Sequence, residues 1–97
     1  MAARVADIFK PERILLFGSY AYGKPGLNSD VDLLVVMPHD GLAARKAAEV
    51  RLALPDDISV DVLVRTPQAL KKRVDLNDSF IKEILSKGVT LYETGSA

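Results

Sequence analysis

Asp30 and Asp32 stand one residue apart at the head of an apolar run, Leu33-Leu34-Val35-Val36. In a strand, side chains alternate between the two faces, so these carboxylates project from the same side. Like charges this close repel, and a divalent cation between them removes that cost. Mg²⁺ takes oxygen ligands and binds through one or two carboxylates plus substrate phosphates; Mn²⁺ suits the same donors. Ten residues separate Asp30 from the pair Gly18-Ser19, which closes another apolar run. A turn into a helix at that point would aim free backbone N–H groups at an anion. Metal-binding acids and a phosphate-binding turn this close together point to a nucleotide site. A further acid, Asp61, interrupts the apolar stretch from Ile58 to Val64. Charge inside a strand is costly unless its face is open. The plain alternative is an edge strand with Asp61 turned to water.

The elements that must hold these residues follow from periodicity and punctuation. Val5, Ile8 and Phe9 lie at helical spacing, so residues 2–10 are expected as a helix closed by Pro11. Residues 13–17 are a buried strand bounded by Pro11 and Gly18, and residues 18–23 are about one helical turn with Ser19 as its N-cap. Residues 24–28 carry turn chemistry, and residues 30–37 form the second strand, ended by Pro38. Residues 41–54 are strong helix formers stopped by Pro55. Val60, Val62 and Val64 alternate through a third strand over residues 58–65. Thr66 and Pro67 open a helix running to about Val74, and Asn77 or Asp78 opens another that ends at Gly88 as C-cap. Residues 89–92 are a short last strand.

These connections are restrictive. If Gly18 and Asp30 share one site, the first strand must end where the second begins, as in antiparallel neighbours. The second and third strands are joined by a helix of about fourteen residues, as a parallel pair requires. A parallel third strand brings Asp61 to the same sheet edge as Asp30 and Asp32. The expected fold is therefore α/β, a small mixed sheet of three to four strands flanked by helices.

Composition narrows the function classes. Ninety-seven residues are expected as one domain, residues 1–97. Apolar residues make up 48% and charged residues 27%, which is ordinary for a globular protein. Thirteen basic and thirteen acidic residues cancel, which argues against a nucleic-acid partner. The absence of cysteine excludes disulfides and thiolate metal sites and fits the cytoplasm. No run is long enough to span a membrane, and the first nine residues, which include Asp7, do not read as a signal peptide. Lys71-Lys72-Arg73 reads as a solvated helix end complementing the helix dipole, and His39, without a second nitrogen or sulfur ligand nearby, as a surface residue.

Taken in order, Phe17-Gly18-Ser19-Tyr20-Ala21-Tyr22-Gly23, then Ser29-Asp30-Val31-Asp32-Leu33-Leu34-Val35, resemble the nucleotidyltransferase superfamily of DNA polymerase beta. The likeness is to its smallest branch, the minimal nucleotidyltransferases, many of which are antitoxins of two-gene toxin–antitoxin modules. It resumes at Val60-Asp61-Val62-Leu63, where the superfamily carries its third acid, and covers the end through Ile84, Gly88, Leu91, Tyr92 and Glu93. Tyr22 departs from the pattern, which usually has Arg there.

The resemblance implies a palm-like nucleotidyltransferase fold and Mg²⁺-dependent transfer of AMP from ATP. In such chemistry two metal ions stabilise the attacking and leaving oxygens of an in-line displacement. Asp30, Asp32 and Asp61 would be the metal-binding, catalytic acids, and Gly18 and Ser19 the nucleotide-binding turn. A chain that is nearly all catalytic core needs another copy or another protein to complete its acceptor pocket. The branch suggests a helical HEPN-domain toxin whose tyrosine receives AMP. A transferase acting on a small molecule or RNA end, and a non-catalytic antitoxin, are the alternative classes.

Overall fold

The computed structural model describes residues 2–18, 21 and 31–94. Among them the order is α1 (Ala2–Phe9), β1 (Arg13–Phe17), β2 (Val31–Val36), α2 (Ala43–Leu52), β3 (Val60–Arg65), α3 (Pro67–Asp75), α4 (Ser79–Lys87) and β4 (Val89–Glu93). One sheet runs β3-β2-β1-β4. β1 pairs antiparallel with β2 and β4, and β2 pairs parallel with β3. The mixed sheet and the α2 crossover between parallel strands are those the sequence predicts.

Alternation along each strand sorts the apolar residues into two cores. Ile14, Leu33, Val35, Val60 and Val64 pack with Val5 of α1 and Val50 of α2. Leu15, Leu34 and Val36 face the other way, onto Leu70 of α3 and Ile81 and Ile84 of α4. The sheet is thus covered on both faces, and central β2 is buried from Leu33 through Val36, which is why its sequence is a continuous apolar run rather than an alternating one.

Local chemistry sets the ends of the elements. The Thr66 hydroxyl accepts from Ala69 N–H at 3.1 Å, with Pro67 in the first helical position, and the Asp78 carboxylate accepts from Phe80 and Ile81 N–H at 3.0 and 3.2 Å. α2 is shorter than the expected 41–54: its N-cap Leu42 offers no side-chain acceptor, and Gly41 sits at φ +80°. Beyond its end, the Arg51 guanidinium donates to the carbonyls of Leu54, Pro55 and Ile58 at 3.4, 3.1 and 2.9 Å. That clamp holds the loop leading into β3, which begins at Val60 rather than Ile58.

Gly88 ends α4 as its C-cap, as expected, and its N–H donates to the Ile84 carbonyl. Its backbone is extended, φ −68° and ψ 161°. Glycine is required there by space: a Cβ would strike Ile84 O and come within 3.0 Å of Leu16 O, where the chain turns tightly from α4 over β1 into β4. Among the described residues no helix is long and apolar enough to cross a membrane.

Candidate functional site

The strand registers bring three residues into one row. Phe17 at the end of β1 lies opposite Asp32 near the start of β2, and Asp32 lies beside Asp61 near the start of β3. Adjacent strands are about 4.8 Å apart. Asp32 shares a face with Leu34 and Val36, and Asp61 with Leu63, so both carboxylates stand on the side covered by α3 and α4. Asp61 is exposed, and β3 is an edge strand. The edge-strand alternative is therefore right about exposure, yet the exposed carboxylate still falls on the face and in the register of Asp32.

Gly18 adjoins this row. It lies at φ +78°, in the left-handed region that favours glycine, and a Cβ there would overlap the Asp32 carboxylate oxygen and stand 3.2 Å from its Cγ. Conformation favours glycine, and a Cβ would in addition displace the Asp32 carboxylate. The Gly18 carbonyl accepts from Ala21 N–H at 3.1 Å. Ser19 and Asp30, the other expected site residues, lie outside the described residues, as does Tyr22. Among the described residues no cluster of three metal-ligating side chains forms. Asp32 and Asp61 nonetheless fit a hard divalent cation: two carboxylates in adjacent register on one face, the Asp32 carboxylate closely approached by Gly18.

Beyond the acids the row opens into a cavity of about 410 Å³ lined by Phe17, Asp32, Asp61, Val62, Leu63 and Phe80. The Phe17 and Phe80 rings meet edge to face, with centroids 5.7 Å apart and planes at 83°. Phe80 is 52% exposed, whereas Ile81 and Ile84 of the same helix are buried. Phe80 is a cavity-lining residue that the sequence motifs do not mark. Helical spacing carries no signal for it, because Phe80 stands four residues before Ile84 and so on the same stripe. Lys71, Lys72 and Arg73 are exposed on α3, as expected of a solvated helix end, and His39 lies at the far end of β2 from Asp32.

A family model described as nucleotidyltransferase domain matches residues 1–92. A Methanocaldococcus jannaschii protein that carries the name protein adenylyltransferase is 34% identical over 80 residues, covering 82% of this chain and 78% of its own. In structure, the chain resembles a Sulfolobus solfataricus protein named as a nucleotidyltransferase, with a TM-score of 0.64 at 21% identity over 96% of this chain and 74% of that one. It also resembles a chain from the crystal structure of a toxin–antitoxin with AMP-PNP, with a TM-score of 0.66 at 26% identity over 96% of this chain and 71% of that one.

Proposed function

The chain belongs to the nucleotidyltransferase domain family, and from that premise we propose that it transfers AMP from ATP to a tyrosine hydroxyl of a helical HEPN-type toxin, acting as its antitoxin. The observation that carries the reading is the Asp32–Asp61 register with Gly18 packed against Asp32. The adenylyltransferase name of the Methanocaldococcus jannaschii relative and the toxin–antitoxin with AMP-PNP support the choice of nucleotide and partner. ATP as donor fits a cytoplasmic location.

Asp30, Asp32 and Asp61 would hold two Mg²⁺ ions, which when bound neutralise triphosphate charge and lower the pKa of the acceptor hydroxyl. Gly18 and Ser19 cradle the β- and γ-phosphates on backbone N–H groups and the Ser19 hydroxyl. Asp30 and Asp32 serve the donor, and Asp61 serves the acceptor. Titration calorimetry tests the donor half: ATP affinity rises when Mg²⁺ or Mn²⁺ is present. Equal affinity in chelator, or no binding under any condition, contradicts the reading.

A further inference from the structure

In-line displacement puts the attacking and leaving oxygens on opposite sides of the phosphorus. With the leaving pyrophosphate at Gly18, just after β1, the attacking oxygen must come from the far side of Asp32, toward β3. That is where the cavity lies, running from Phe17 and Asp32 out to Asp61, Val62 and Leu63. Its lining is amphipathic: two carboxylates beside an aliphatic and aromatic wall. Phe80 forms that wall with a ring half exposed and braced edge to face by Phe17. An exposed aromatic on a helix otherwise buried at Ile81 and Ile84 contributes nothing evident to the core.

We infer that Phe80 is a specificity-determining residue, a ledge against which the ring of an aromatic hydroxyl acceptor lies while its oxygen sits beside Asp61. This rests on the proposed function and names the residue that selects its acceptor. A phenol matches the lining, with an apolar body and a polar tip. A serine hydroxyl on a single carbon leaves the aromatic wall uncovered. In the step so positioned, the phenolic oxygen bonds the α-phosphorus and the bond to the bridging oxygen breaks. Pyrophosphate leaves with that electron pair, and the phenolic proton passes to water.

The test uses ATP, Mg²⁺ and two short peptides identical except for a central tyrosine or serine, compared in the parent and in Phe80→Ala, Phe80→Leu and Phe80→Trp. The parent prefers the tyrosine peptide. Phe80→Ala raises its KM about three- to tenfold, the range expected for a lost aromatic pair, and leaves Mg·ATP affinity unchanged. Phe80→Trp keeps the parental KM, and Phe80→Leu falls between. Because Phe80 is half exposed, the variants fold, as thermal melting verifies. An unchanged KM in Phe80→Ala, or equal use of both peptides by the parent, overturns the inference and leaves nucleotidyl transfer standing. Weakened Mg·ATP affinity in Phe80→Ala overturns it in favour of a ring that holds the donor base. A parent that binds Mg·ATP but labels neither peptide overturns the inference and the proposed acceptor with it.

Discussion

Replacing Gly18 with alanine perturbs the site through one methyl group in two separable ways. The left-handed backbone, φ +78°, costs a non-glycine residue about 1–2 kcal/mol. The Cβ also falls on the Asp32 carboxylate, and contacting residues of this kind couple by about 0.5–3 kcal/mol. Gly18→Ala should therefore lose about 1.5–5 kcal/mol of stability by chemical denaturation followed by circular dichroism. In an Asp32→Ala background the collision is gone, and only the backbone cost of about 1–2 kcal/mol should remain. Catalysis should suffer more than stability. Restoring contact distance moves the turn or the carboxylate by about an ångström, a misplacement that costs about 10²-fold in rate. Pyrophosphate release is the assay. Near-parental release by Gly18→Ala, or the same stability loss in both backgrounds, would refute the close approach of Gly18 to Asp32.

Gly88→Ala should destabilise by about 1–3 kcal/mol through overpacking against the Ile84 and Leu16 carbonyls, and the measurement is the thermal midpoint. Thr66→Ala should lose about 1 kcal/mol with the single bond to Ala69 N–H, as read by denaturation, with transfer intact because α3 carries no proposed site residue. Ile84→Ala should cost about 2–5 kcal/mol, since the side chain is fully buried between α4 and the sheet; a smaller loss by denaturation would mean that face of the sheet is loosely packed.

Much of this arrangement is legible along the chain because its signals are local. Leu33 through Val36 are apolar without alternation, which marks a strand covered on both faces, and the Ala-rich segment before Pro55 marks the crossover that makes β2 and β3 parallel. From those two facts the Asp32–Asp61 neighbourhood follows by counting. Other features depend on contacts distant in sequence. A glycine after a helix signals a cap, but that Gly88 is held to glycine by the nearby Leu16 carbonyl depends on a contact distant in sequence. The placement of β4 beside β1, and of Phe80 over Phe17, is set by how α4 packs on the sheet, which periodicity does not encode. Arg51 organises the loop before β3 through carbonyls that no side-chain pattern announces.

In the proposed function Asp61 acts on the acceptor while the donor binds elsewhere along the same row. The most direct measurement gives the protein, Mg²⁺ and a co-encoded helical partner ATP labelled at either the α- or the γ-phosphate, in parent and in Asp61→Asn. The proposed transfer predicts α-label on a partner tyrosine, no γ-label, and release of pyrophosphate. It predicts that Asp61→Asn still binds Mg·ATP but transfers about 10²–10³-fold more slowly, as when one strong electrostatic contact to the transition state is removed. Transfer of γ-label, or an Asp61→Asn variant that transfers at the parental rate, would contradict it.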